Sequence, residues 1–207
     1  MMKEFWEKRY KNQKFAYGEE PNQFFVDVLN NYNLKGTMLL PAEGEGRNAV
    51  FAARKGFEVS CFDISNEGKL KALKLANEHN VTINYQVGEL SEFNFTKNLF
   101  DVIVLIYAHF SPKLKSEYHK RISKYLKVGG LLILEGFSKE QLEINKEHQI
   151  ELGPKNIEML FSLEEIKKDF SDLEILEFNQ EEIELNEGFY HKGKASVIRF
   201  IGKKAKS

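Results

Sequence analysis

The chain has 207 residues, enough for one domain with a sizeable core. Its 30 Lys and Arg offset 31 Asp and Glu to a net charge of −1, so no bulk field recruits nucleic acid or an anionic membrane. Cys61 is the single cysteine, which excludes an internal disulfide, and no apolar run approaches the ~20 residues that span a bilayer. The N-terminus, MMKEFW, lacks the apolar region of a signal peptide, and a soluble cytoplasmic protein is expected.

In chain order, residues 4–10 and 21–32 read as helices, the second with Pro21 at its start. Residues 37–42 (TMLLPA) predict a first strand, 57–62 a second, 81–86 a third, 100–107 a fourth and 130–137 a fifth. The near-continuous apolar runs from Val102 to Ile106 and from Leu131 to Leu134 suit strands buried on both faces. Helices fall between them. Residues 46–55 end at Gly56, a C-cap residue. Ser65 caps a helix to about His79, with Leu70, Leu73 and Ala76 expected on its apolar face. Pro112 opens a helix in which Leu114, Tyr118, Ile122 and Tyr125 recur at helical spacing. Ser162 and Glu165 form a capping box for a short helix to about Phe170. Residues 173–185 and 194–202 predict two strands joined by a turn around 186–193, and residues 203–207 form a Lys-rich tail. Alternating strand and helix predict an α/β fold, a doubly wound and mostly parallel sheet that ends in an antiparallel hairpin. One domain, 1–207, is expected. Residues 1–35 would form a helical cover, and the weakly periodic stretch 138–161 either a lid or a surface excursion.

The segment PAEGEGRNA, residues 41–49, carries the chemistry. Gly44, Gly46 and Ala49 fit the spacing of a dinucleotide-binding turn, which follows the first strand and opens a helix. Yet Glu43 and Glu45 flank the first glycine and oppose a pyrophosphate there. Asp63 ends the second strand, 19 residues after Gly44, where a carboxylate can accept both hydroxyls of a ribose. Glu89, in Gly88-Glu89-Leu90 after the third strand, can accept from an adenine amino group. NAD fits the adenosine contacts but not the acidic turn. S-adenosylmethionine has the same adenosine and a cationic tail, so the carboxylates favour it.

These elements resemble the class I S-adenosylmethionine-dependent methyltransferases: LLPAEGEGRNA for the glycine motif, CFDIS for the acidic strand end, GEL after the third strand, FDVIVLIYAHF for the fourth and LKVGGLLILEGF for the fifth. The closing hairpin matches the reversed strand of that family. Within it, WEKRY and FAYGEEPNQFF resemble small bacterial enzymes of the tellurite-resistance and thiol-methyltransferase-like group. The chain departs at Leu40, where the family often has an acidic residue, and at Ala42, where it has its first glycine. The resemblance implies S-adenosylmethionine as cofactor, held by Glu43, Gly44, Gly46, Asp63, Ile64, Glu89, Leu90, Tyr107 and Tyr17, with Glu43 reaching the methionine ammonium.

Methyl transfer from a sulfonium needs alignment, and a base only where the acceptor must lose a proton. His109, after the fourth strand, can be that base or a substrate contact; a structural histidine bonded to backbone fits equally. Tyr190, His191 and Glu135 are candidate substrate contacts. A solvated hairpin tip competes with that reading for Tyr190 and His191. Trp6 reads as core or cover, and His119 and His148 as solvent-exposed. No metal-ligand spacing is present among the histidines and cysteine. The expected function is methyl transfer to a small molecule by direct in-line displacement. A cofactor-binding sensor without catalysis, or a protein methyltransferase, is the alternative; nucleic acid and membrane are disfavoured as partners.

Overall fold

The strand runs stack as a seven-stranded sheet in this computed structural model, which describes residues 2–12 and 14–205. Its strands are β1 (Thr37–Pro41), β2 (Glu58–Asp63), β3 (Asn84–Val87), β4 (Phe100–Ile106), β5 (Leu126–Phe137), β6 (Leu173–Glu187) and β7 (His191–Lys204). Their order is β3-β2-β1-β4-β5-β7-β6. The β1–β2, β2–β3, β1–β4 and β4–β5 pairs are parallel, and β7 runs antiparallel between β5 and β6. The predicted fold class is therefore the observed one. Lys203 and Lys204 of the Lys-rich tail belong to β7, whereas Lys206 and Ser207 lie outside the described residues.

Helices cover both faces, as continuous apolar strands require. On one face lie α2 (Gln23–Asn31), α3 (Arg47–Arg54) and α4 (Asn66–Glu78), with Phe25, Met38, Leu40, Val50 and Leu75 in their core. On the other lie α5 (Pro112–Ser123) and α7 (Leu163–Asp169), around Leu39, Ile103, Leu105, Ile122 and Phe170. The N-terminal α1 (Met2–Tyr10) contacts α4, and α6 (Gln141–His148) contacts β7. The Ser162–Glu165 capping box forms as expected.

Two local expectations are corrected. β3 begins at Asn84, three residues later than the apolar run predicts, although Ile83 is still buried. In α4 the buried face is Gly68, Ala72, Leu75 and Ala76, whereas Leu70 is 63% exposed. The reason is close approach. A Cβ on Gly68 would lie 2.8 Å from the Gly44 carbonyl oxygen, and Ala72 packs where a Gly46 side chain would be. Small residues, not leucines, fit against the glycine turn.

The topological switch lies between the parallel strands β1 and β4, whose onward connections run to opposite sides, β1 to β2 and β4 to β5. Ligands in such sheets bind beyond the strand carboxyl ends at that point.

Candidate active site

A cavity of about 700 Å³ opens at that edge, within the size range of small-molecule sites. Its floor is built from successive strand ends. The turn after β1 contributes Ala42, Glu43 and Gly44; the end of β2 contributes Asp63, with Ile64 just beyond it; the turn after β3 contributes Gly88, Glu89 and Leu90. Tyr107 and His109 follow β4, Phe137 ends β5, and His191 begins β7. The roof comes from elsewhere in the chain. Trp6, Arg9 and Tyr10 of α1 and Tyr17 line one side, and Gly153, Pro154, Lys155 and Met159 another.

The glycine turn is shaped by contacts within the chain. Gly44 has φ +59°, and a Cβ there would lie 2.6 Å from the Tyr10 hydroxyl. Gly46 has φ +86° and begins α3. Gly44 N–H donates to Asp63 Oδ2 (3.1 Å), and Ser65 N–H donates to Asp63 Oδ1 (2.9 Å). Ala49 N–H donates to Glu43 Oε1 (2.7 Å). Burial pushes Glu43 up to about 7 and Asp63 up to about 6, because the backbone donors and Arg47 near Glu43 only partly offset the loss of water.

The cover is tied down by charge. Glu7 of α1 accepts from Ser65 Oγ, Asn66 N–H and Glu67 N–H, at the N-terminus of α4. Burial opposes its charge, but these donors outweigh it and hold the carboxyl at about 2. Glu45 accepts from Ala16 N–H (2.8 Å) and pairs with Lys71 (2.6 Å). At the hairpin tip, Phe189 N–H and Tyr190 N–H donate to the Ala16 carbonyl, and the Arg9 guanidinium sits 3.9 Å over the Tyr190 ring.

Residues 41–130 match the family described as "Methyltransferase domain". The matched stretch runs from the glycine turn through β4 and α5. Solved structures share the fold. One is a SAM-dependent methyltransferase from Methanosarcina mazei, 20% identical at TM-score 0.68, covering 91% of this chain and 100% of that one. TehB from Haemophilus influenzae is 18% identical at TM-score 0.69, covering 98% and 66%. A structure described for the conversion of a disulfide bond into a thioacetal group during echinomycin biosynthesis is 13% identical at TM-score 0.77, covering 99% and 93%. The comparison with curated proteins gives no match.

The cleft brings together Glu43, Gly44, Asp63, Ile64, Glu89, Leu90, Tyr107, Tyr17, His109, Tyr190 and His191 along one cavity. The donor set fits an adenosine with a cationic tail: two buried carboxylates at the turn are short of positive partners, and Arg47 beside them is already paired with Glu187 at 2.7 Å. Gly46 does not line the cavity; it lets α3 pack against Ala72.

Other expectations are revised by geometry. Glu45 is paired with Lys71, so the acidity at the glycine turn that lacks a lysine partner comes from Glu43 and Asp63. Glu135, expected toward a substrate, is instead fully buried outside the cavity lining, paired with Arg199 at 2.6 Å and accepting from Asn22 at 2.7 Å. His109 lines the cavity but has no free ring nitrogen. Its Nδ1–H donates to the Met159 carbonyl (3.0 Å), and its Nε2 accepts from Phe137 N–H (3.3 Å). Burial further lowers it to about 4, so it stays neutral. These two bonds fit the structural histidine that the sequence also allows. His119 is fully buried, packed on Phe170 and paired with Asp169 at 2.8 Å, rather than exposed. His148 is exposed.

Sequence reasoning missed Arg9, Tyr10, Arg47 and Glu187. Nothing local marks them, because each acquires its role from a partner far along the chain. Among the described residues, no group of three or more His, Cys, Asp or Glu is arranged to hold a metal ion.

Proposed function

We propose that this protein transfers the methyl group of S-adenosylmethionine to a small-molecule acceptor by direct in-line displacement. The observation that carries the reading is the cavity itself. A carboxylate-rich floor at the strand ends and an aromatic roof from α1 and the β6–β7 hairpin enclose it. A pocket roofed in this way suits a small acceptor better than a protein chain. When bound, S-adenosylmethionine supplies an electrophilic methyl on a sulfonium. The chain's own part is alignment: Asp63 at the ribose end, Glu43 toward the ammonium, and aromatic rings around the acceptor.

The finer reading is an acceptor of the soft kind, a thiol or a metalloid, in a cytoplasmic enzyme related to the tellurite-resistance and thiol-methyltransferase-like group. WEKRY and FAYGEEPNQFF support it, since they supply the α1 and Tyr17 wall of the cavity. No helix among the described residues is long and apolar enough to cross a membrane. In the same reading, the segment 138–161 is a lid over the acceptor side, with Gly153, Pro154 and Met159 turned to the cavity.

The test is an acceptor screen with methyl-labelled S-adenosylmethionine against thiols, metalloid oxyanions, amines and phenols. Turnover is expected, with inversion at a chiral methyl group. Tight cofactor binding with no acceptor turned over would favour a sensor instead.

A further inference from the structure

His191 and Glu187 face each other across the first pair of the β6–β7 hairpin. Glu187 Oε2 lies 3.1 Å from His191 Nδ1 and 2.7 Å from Arg47 Nη2, and Glu187 Oε1 lies 3.2 Å from Asn22 Nδ2. Three donors therefore converge on one carboxylate. The imidazole is held on its faces and edges by Tyr17, Tyr107 and Phe137, with centroids 4.4, 4.5 and 5.3 Å away, and is 6% exposed. Its Nδ1–H points at Glu187. Its Nε2 has no hydrogen-bond partner among the described residues, is not sealed off, and belongs to a ring that lines the cavity.

We propose that His191 is the general base of the transfer, and that Glu187, clamped by Arg47 and Asn22, is the positioning residue that fixes its tautomer. This rests on the methyl-transfer reading given above. A buried carboxylate on Nδ1 leaves the Nε2 lone pair directed at the acceptor, the arrangement that a base requires. In the balanced step, the acceptor's lone pair bonds to the methyl carbon, the carbon–sulfur bond breaks with its electrons passing to sulfur, S-adenosylhomocysteine forms, and the acceptor's proton passes to Nε2. The imidazolium so formed is paired with Glu187.

The surroundings keep the base ready. Burial lowers His191, the Glu187 carboxylate raises it, and Arg47 and Arg9 lower it again; the net direction is down, so the ring is neutral near pH 7. Glu187 is opposed by burial, but His191 and Arg47 outweigh that and hold it at about 2, so it stays ionised. Tyr17 and Tyr107, the other titratable groups against the ring, are pushed up by burial and stay neutral. His109, on the same cavity, is excluded as a base because both of its nitrogens are used.

The test uses the full chain with S-adenosylhomocysteine bound and ring-¹⁵N-labelled histidine, with His191→Gln assigning the resonance. At pH 7 Nδ1 is expected to carry the proton and Nε2 to be bare. Glu187→Gln is expected to lower the His191 titration point and weaken the tautomer preference. A proton on Nε2 in the wild type would overturn the dyad. These spectra report on it whether or not a thiol is methylated, so its failure and that of the transfer reading are distinguishable. Turnover is then read with two probe thiols. With 2-mercaptoethanol, protonated at neutral pH, His191→Gln should lower kcat by ~10²–10⁴-fold. With benzenethiol, ionised near neutrality, the loss should be less than about tenfold, since no proton needs removal. S-adenosylhomocysteine affinity within about threefold of wild type controls for folding. Equal losses on both thiols would overturn the base assignment.

Discussion

Asp63 has two duties that are separable by measurement. Its carboxylate holds the Gly44 and Ser65 amides, which fixes the glycine turn, and it lines the cavity beside them. Asp63→Ala should therefore weaken S-adenosylmethionine by roughly 1.5–3 kcal/mol, the size of a charge-assisted hydrogen bond, and lower the melting temperature as well. Calorimetry and a thermal scan read the two effects, and an unchanged affinity would remove Asp63 from the site. His119 is different, because its contacts are wholly internal: Asp169 on one nitrogen and aromatic rings around it. His119→Ala removes a buried ring and leaves Asp169 with the Ser116 hydroxyl alone, a loss of about 2–4 kcal/mol. For a chain of this size that lowers the melting temperature by roughly 5–15 °C. A shift below about 2 °C would show that the pair contributes little. The sequence gives no hint of this burial, since a histidine between Tyr118 and Lys120 on a charged helix reads as solvent-facing until α7 supplies Asp169.

The glycine turn and the cover act as elements. Gly46 begins α3 with φ +86°, and a Cβ there would lie 2.4 Å from Ala72 Cβ and 2.8 Å from its Cα. Gly46→Ala combines left-handed strain with overpacking against a helix backbone, about 2–4 kcal/mol, checked by denaturant unfolding. A neutral result would mean that α4 shifts freely. Glu7 anchors α1 to the α4 N-terminus through two amides and a hydroxyl. Glu7→Gln should speed amide hydrogen exchange in α1 while leaving β4 and β5 protected, since the cover has few other polar ties to α4. Equal exchange in α1 of both proteins would deny the anchor. The strands and main helices were legible in the sequence because their apolar periods are local: Val102 to Ile106 can only be a buried strand in this setting. The spacing Gly44, Gly46, Ala49 and the strand-end Asp63 were legible for the same reason. The Glu187–His191–Arg47 cluster was not, because it joins a hairpin to α3 across 140 residues, and no window contains both.

At the scale of the whole molecule, the charges of the site sort by element. Strand ends supply Glu43 and Asp63, whereas α1 supplies Arg9 and the segment after α6 supplies the ion pair Glu151–Lys155. The floor carboxylates favour a ligand with a cationic tail. The elevated Glu43, at about 7, makes this preference titratable. A cation favours the ionised carboxyl, so binding releases a proton when pH lies below about 7, and affinity rises as pH rises through that value. Between pH 6 and 7.5 the gain should be up to about tenfold if Glu43 becomes fully ionised in the complex. NAD, with its pyrophosphate, meets the same carboxylates as a like charge and should not bind measurably. Isothermal titration of the full chain with S-adenosylmethionine and with NAD, at pH 6.5 in two buffers of different ionisation enthalpy and again at pH 7.5, tests this most directly. The expected result is S-adenosylmethionine binding with proton release, tighter at pH 7.5, and no NAD binding. Tight NAD binding, or S-adenosylmethionine affinity that falls as pH rises over this range, would contradict the account.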